Sequence, residues 1–513
     1  MKDPPRARKR PSSRRNKLPA MSDQFKSRVV RGMGWSAVQV GGGRLISFLV
    51  FPVLMRLLGP EAYGLVAGAG VFLALLDVFS DVSFGAAIEQ RRELEPDHLD
   101  SIFWAFLALG VLLTALSVVA APWVSRFLDM DDLTPVLRWL SLGFLLQMVS
   151  GVQVSLRRRE LQIKELTRIN LSAAAAGGIV GVTLAFAGFG VWALVGQRLL
   201  MRVLTVVQLW LSSEWQPRWR FSWSHLREMS GFGLSVMGNR LLNYLNRQFD
   251  QLLVGRVLGQ VALGYYFSAS RLHTMAINML VGTFSQVAMP AFSQLQDDPP
   301  RFRRAFAKAC RYTTMVAFPV FVGLSLLAHE LVTVVVGEQW LPVVPAMQVL
   351  ALTGIVHSIQ YVNGSAMMAL GRADLSLVIL LIHSLANVVG FLLAVQHGFV
   401  AVAVAYTIRA YLLAPLDLLV NRRLGALEFR QLGRAIRAPA VAALVMAGTV
   451  WILRTRLLVE QGDLLRLVIS VLAGMVVYVA CLLLVDRSYW DEGLELVRNL
   501  RPDSAASTSE EQP

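Results

Sequence analysis

One long apolar stretch carries charges that a membrane helix rarely tolerates, and the chemistry of the chain is read from it. Residues Gly231 to Gly255 are long enough to cross a bilayer, yet they include Arg240, Arg247 and Asp250. At 100° per residue, Arg240, Asn243, Asn246, Arg247, Asp250 and Gln251 fall within an arc of about 140°, and Leu241, Leu242, Leu245, Phe249, Leu252 and Leu253 take the other side. The spacing predicts an amphipathic helix whose polar face meets water or protein. An ionisable side chain near the bilayer centre costs at least about 2.5–3.5 kcal/mol, so such groups normally line a pathway or a binding cavity.

Other deep polar residues extend the pattern. Arg44 stands near the middle of the apolar stretch 34–58, and Asp77 is central in 64–88 with Asp81 one turn on. Within 264–291, Arg271, Thr274, Asn278, Gly282 and Ser285 share one helical face. Two readings compete. The groups could tie helices together, Arg44 with Asp77 and Arg247 with Asp250. Alternatively they surround a cavity, because Arg44, Arg240, Arg247 and Arg271 face only Asp77, Asp81 and Asp250, which leaves cation in excess. Unbalanced guanidinium attracts phosphate or carboxylate through paired donors. The predicted cavity residues are therefore Arg44, Arg240, Asn243, Arg247, Asp250, Arg271 and Asn278, with Asp77, Asp81 and Asp250 as ion-pair or coupling carboxylates.

Arg138, Arg198, Arg202 and Arg409 lie nearer span ends and are expected to snorkel to headgroups. His273, His357 and His383 read as satisfied core histidines rather than proton carriers. The chain has no G-x-x-x-x-G-K-[ST] loop and no helix-borne His/Glu metal motif, so neither a nucleotide, a cofactor nor a metal is expected.

The elements that hold these residues are membrane spans. Of 513 residues, 55% are hydrophobic and 16% charged, with a mean hydropathy of +0.53. This composition describes a polytopic membrane protein. Fourteen spans are expected near 34–58, 64–88, 99–122, 135–155, 168–188, 190–212, 231–255, 264–291, 310–328, 344–369, 375–395, 398–420, 438–457 and 464–486. The net charge of +15 gathers between spans. Loops on the side of the N-terminus hold Arg157, Arg158, Arg159, Arg301, Arg303, Arg304, Arg422, Arg423 and Arg430, while the opposite loops carry few basic residues. That asymmetry predicts both termini inside and favours lipid headgroups over nucleic acid as the anionic partner. Cys310 and Cys481 both adjoin apolar runs, which gives no disulfide framework.

A repeat of about 200 residues is visible. Arg56-Leu57-Leu58-Gly59 with Gly64 matches Arg256-Val257-Leu258-Gly259 with Gly264. Six spans per repeat leave the halves in parallel orientation, with a substrate path between them. The expected organisation is a basic disordered tail over 1–31, a first lobe over 32–212, a linker over 213–230 and a second lobe over 231–420. A basic loop over 421–437, two further spans over 438–486 and a tail over 487–513 complete it.

Two passages resemble the polysaccharide transport branch of the multidrug/oligosaccharidyl-lipid/polysaccharide (MOP) flippase superfamily, the Wzx-type exporters. The first is Arg56-Leu-Leu-Gly-Pro-Glu-Ala-Tyr-Gly64. The second is Leu263-Gly-Tyr-Tyr-Phe-Ser-Ala-Ser-Arg271 followed by Val287-Ala-Met-Pro-Ala-Phe-Ser-Gln-Leu-Gln-Asp-Asp298. The resemblance implies an all-α fold of two six-helix lobes in a V, working by alternating access in a bacterial inner membrane. The implied cargo is an undecaprenyl-diphosphate-linked oligosaccharide, and a polysaccharide polymerase and other biosynthetic proteins are the implied partners. A peptidoglycan-precursor flippase or a drug exporter of the same superfamily is the alternative. A polyprenyl-linked polymerase or glycosyltransferase is disfavoured, because no long loop opposite the basic side could house its site.

Overall fold

The computed structural model describes residues 23–80, 88–89, 95–223 and 233–489. Residues 1–22 of the tail, 81–87 with Asp81, 90–94, 224–232 at the end of the linker and the start of the second lobe, and the C-terminal tail from 490 lie outside the described residues. Among the described residues the regular secondary structure is all helical, without strands. In order, the helices are α1 (Asp23–Leu57), α2 (Pro60–Ser80), α3 (Pro96–Leu128), α4 (Leu133–Val149), α5 (Gly151–Arg159), α6 (Ile163–Phe186) and α7 (Val191–Leu211). They continue with α8 (Gly233–Leu280), α9 (Gly282–Ser293), α10 (Pro299–Leu326), α11 (Val344–Ala369), α12 (Ala373–Ala394), α13 (Phe399–Arg423), α14 (Phe429–Ile452) and α15 (Asp463–Val485).

Several helices begin earlier than hydropathy alone predicts. α1 starts at Asp23, inside the stretch expected to be a disordered tail. Likewise Arg301, Arg303 and Arg304 belong to the first turns of α10 rather than to a loop, and Arg430, Arg434 and Arg437 to those of α14. At α10 the start is built from a Pro at the first position and from Asp298, whose carboxylate accepts from the Arg301 N–H at 3.1 Å. Charge ended the apolar windows, but a helix that leaves the membrane into water keeps its backbone bonds.

By length and apolarity, twelve of the described helices can cross a membrane, and α4 with α5, bent by 43°, adds a thirteenth. The difference from the expected fourteen lies in α8, where 231–255 and 264–291 were read as separate spans. Inside α8, Gly259 takes φ 81° and ψ −176°, a backbone conformation that a Cβ would disfavour. The Tyr266 hydroxyl donates to Asp250 Oδ2 at 2.7 Å, although 16 residues of straight helix would separate them by about 24 Å. The chain therefore reverses at Gly259, and the two arms of α8 run antiparallel.

That turn meets its counterpart in the repeat. A Cβ at Gly64 would stand 2.0 Å from the Gln260 carbonyl oxygen, and one at Gly264 would stand 1.9 Å from the Pro60 carbonyl oxygen. Positions 60 and 64 thus face 260 and 264 reciprocally, backbone against backbone. Around this contact Tyr63 packs edge-on to Phe51 and Trp340, and Tyr265 edge-on to Trp340. Trp340 Nε1 donates to the Met55 carbonyl at 2.8 Å and Gln339 Nε2 to the Arg56 carbonyl at 3.0 Å. The largest apolar core forms here, joining α1, α2, α8 and the 338–343 turn at the end opposite the basic loops. α14 and α15 pack together on α10.

Candidate functional site: a cationic central cavity

Behind this seal lies a cavity of about 1110 Å³. α2 and α7 supply a small part of its wall, Val66, Ala67, Gly70 and Arg198; both arms of α8, α9 and α11 to α13 supply the rest. It extends to Met289, Met368 and Ser376, near the ends of their helices on the basic-loop side.

Of the predicted residues, Arg247, Asp250, Arg271 and Asn278 line this cavity. Arg247 and Arg271 each stand 12 residues from Gly259 on opposite arms of α8, so the hairpin puts both about 18 Å from its turn. Arg44, Asp77 and Asn243 are not among the lining residues. Asp81 and the side chain of Arg240 lie outside the described residues.

Neither predicted helix tie forms. Asp77 accepts from the Ser80 hydroxyl at 2.6 Å and from Gln147 Nε2 at 3.4 Å. Asp250 accepts from the Tyr266 hydroxyl and, at 2.8 Å, from the Gln251 N–H. Among the described residues, Arg44, Arg198, Arg247 and Arg271 make no ion pair. Fixed positive charge in the cavity is left unneutralised by the protein.

Two arginines expected to snorkel instead face inward. Arg198 lines the cavity within electrostatic reach of Tyr63 and Arg271. Being seven residues inside α7, it sits about 10 Å from the helix start, on the face turned to α2 and α8. Arg409 also lines the cavity, on α13, with its guanidinium 4.7 Å above the Tyr406 ring.

The histidines correct the expectation in two different ways. Among the described residues His273 is buried with no hydrogen-bond partner on either ring nitrogen, so it is a core histidine but not a satisfied one. His383 is bonded at both nitrogens. Arg409 Nη1 approaches its Nδ1 at 2.7 Å, and its Nε2 lies 3.1 Å from Asp417 Oδ1. Gln360 Nε2 donates to the other Asp417 oxygen at 2.8 Å. Sequence reading missed Asp417 because it falls near the end of a span, where a charge is unremarkable; only the packing of α11, α12 and α13 assembles the chain. A second polar crosslink, Asn387 Nδ2 to Asn246 Oδ1 at 3.1 Å, joins α12 to the first arm of α8.

A multi-pass membrane protein whose helices enclose a deep polar cavity, sealed at one end and rich in unpaired arginine, belongs to the class of transporters. Residues 53–345 match the family described as polysaccharide biosynthesis protein, and the chain belongs to that family. It is 27% identical to the succinoglycan biosynthesis transport protein ExoT of Rhizobium meliloti, over 94% of this chain and 98% of that one. To the teichuronic acid biosynthesis protein TuaB of Bacillus subtilis it is 26% identical, over 94% of this chain and 100% of that one. With the lipopolysaccharide biosynthesis protein WzxC of Escherichia coli it shares 27% identity over 69% of this chain and 72% of that one. The fold is similar to that of the lipid II flippase MurJ in an inward closed conformation, with a TM-score of 0.72 at 14% identity, covering 89% of this chain and 99% of that one. It is also similar to an inward-facing multidrug resistance MATE transporter of the MOP superfamily, with a TM-score of 0.60 at 16% identity, covering 76% and 98%.

Proposed function

We propose that this protein is a flippase of surface polysaccharide biosynthesis that moves an undecaprenyl-diphosphate-linked oligosaccharide across the bacterial cytoplasmic membrane. The observation that carries this reading is the cluster of cavity arginines, Arg198, Arg247 and Arg271, without carboxylate partners. They form an anion site at a depth where a diphosphate would otherwise meet hydrocarbon. Guanidinium forks hold the diphosphate, the polar faces of α8, α11 and α12 hydrate the sugars, and the lipid tail stays in the bilayer. Closing the mouth on the basic-loop side and parting the seal at Gly64 and Gly264 then carries the headgroup across without a crossing through hydrocarbon.

The basic loops support a topology with both termini in the cytoplasm. The spans form two lobes, 32–212 and 231–420, with 438–486 appended. A drug exporter of organic cations needs carboxylates in excess, and this cavity has the opposite balance. The test is the leaflet distribution of lipid-linked oligosaccharide in cells depleted of the protein and rescued with wild type, Arg271→Ala or Arg198→Ala. Depletion is expected to trap the lipid on the cytoplasmic leaflet, and membrane-inserted arginine variants to leave it there. Normal appearance of the lipid outside in depleted cells overturns the proposal.

A further inference from the structure

The chain of side chains from Arg409 through His383 to Asp417 admits one arrangement of protons. Guanidinium donates and has no acceptor. The 2.7 Å contact between Arg409 Nη1 and His383 Nδ1 therefore makes Nδ1 the acceptor. The ring proton is then on Nε2, which donates to Asp417 Oδ1, while Gln360 donates to Oδ2. His383 is neutral here, and Arg409 is held by the lone pair that an incoming proton would occupy. His383, Arg409, Asp417 and Gln360 all line the cavity, and Arg409 Nε has no hydrogen-bond partner among the described residues.

We infer that Arg409 is a latent oxyanion-binding residue, latched to the cavity wall by neutral His383 and released into the cavity when His383 takes up a proton. The proton adds to Nδ1 and the bond to Arg409 breaks. Two like charges then face each other across the former contact, while the Nε2 bond to Asp417 keeps the imidazolium in place. The freed guanidinium offers its donors to a phosphate or a carboxylate. Linkage runs both ways: an anion that draws Arg409 off the ring uncovers Nδ1, so anion and proton each favour the binding of the other. This rests on the reading of the cavity as an anion site, not on the identity of the lipid.

Other titratable groups face the same space. α8 presents Arg247, Asp250, Arg271 and His273; α11 presents His357 and Tyr361; α13 adds Tyr406. His273 and His357 are the competing proton acceptors, and neither ring has a carboxylate or arginine hydrogen bond among the described residues.

The test is calorimetric titration of the full-length protein in detergent with inorganic pyrophosphate, and separately with glucuronate, across a range of pH and in buffers of different ionisation enthalpy. The two titrants distinguish a phosphate from a sugar acid as the anion served. Wild type is expected to take up protons on binding, and to gain affinity as pH falls by up to about tenfold per unit, the limit for one linked proton. His383→Gln keeps an acceptor for Arg409 and a donor for Asp417 without titrating. It should bind more weakly, with the proton uptake lost; Arg409→Gln should lose the gain at low pH and keep the binding at high pH. His273→Gln and His357→Gln should each keep the proton uptake, whatever they do to the affinity itself; loss of the uptake in either moves the proton to that ring and overturns the latch. Because the ionisation of the titrant is common to all variants, the comparison with His383→Gln isolates the latch. Zero net proton uptake by wild type, or an unchanged profile in His383→Gln, overturns the latch and leaves the anion site standing. Absence of binding at any pH overturns both.

Discussion

Glu330 shows what a single residue can bear in this chain. Its side chain is fully buried, and Arg454 Nε lies 2.6 Å and Arg466 Nη1 3.8 Å from its Oε1. Arg466 also reaches Asp463 at 3.4 Å, and Arg454 donates to the Leu326 carbonyl at 2.8 Å. One carboxylate thus ties the turn after α10 to the ends of both α14 and α15. Removing one partner of a buried pair commonly costs about 3–5 kcal/mol, because the remaining charge stays desolvated; the partial exposure of both arginines places Glu330→Gln at the lower end of that range. Its expected effect is a lowered melting temperature in detergent, whereas Arg456→Ala, two residues from Arg454 and in no ion pair among the described residues, should melt as wild type does. The cavity residues sort by a different rule. Arg271 was legible in the sequence because it sits mid-span on a polar helical face. Arg198 was not, since only the direction of α7 against α2 and α8 decides between headgroup and cavity.

Among the elements, the α8 hairpin was half legible. The helical face of Arg247 and Asp250 and the repeat of Gly64 at Gly264 could both be read in advance. The split into spans 231–255 and 264–291 was readable too; that the break is a single positive φ at Gly259 rather than a loop was not, because Arg256 to Gly264 carries no run of turn residues. The close approach of Gly64 and Gly264 to carbonyl oxygens makes a second prediction. Gly264→Ala must push α2 and α8 apart by more than an ångström, an overpacking worth at least about 1–3 kcal/mol. Its expected signature is loss of the seal, read as labelling of Tyr63→Cys from the side opposite the basic loops; the same treatment of Gly323→Ala, where a Cβ meets nothing within 4 Å, should change little. Helix starts were the other miss. Asp298, Pro299 and Pro300 formed a readable start signal, yet hydropathy windows stopped at the arginines beyond it.

For the whole molecule, composition alone predicted a polytopic membrane protein, whereas the distribution of the cavity wall emerged only from packing. The second half of the chain supplies nearly all of it, and the first half contributes one cation, Arg198. Accessibility mapping tests this arrangement in one experiment. On a Cys481→Ser background, with Cys310 buried among Phe302 and Phe306, a membrane-impermeant thiol reagent should label Ser376→Cys from the cytoplasmic side. Glu61→Cys should be labelled from the other side alone. Labelling of both positions from one side would invert or merge the two compartments assigned above.

The reciprocal glycine contact also has a mechanical meaning. Two backbones that touch without side chains can roll on each other with no rotamer to reset, so the contact acts as a fulcrum at one end of a lever. The helices beyond it extend for some 25 residues, or about 37 Å, and each degree of rotation about the contact moves their far ends by about 0.6 Å. The mouth of the cavity can therefore widen or narrow by several ångströms to admit headgroups of different girth while the fulcrum holds. Admission and release then become separate operations, set at opposite ends of the same rigid arms.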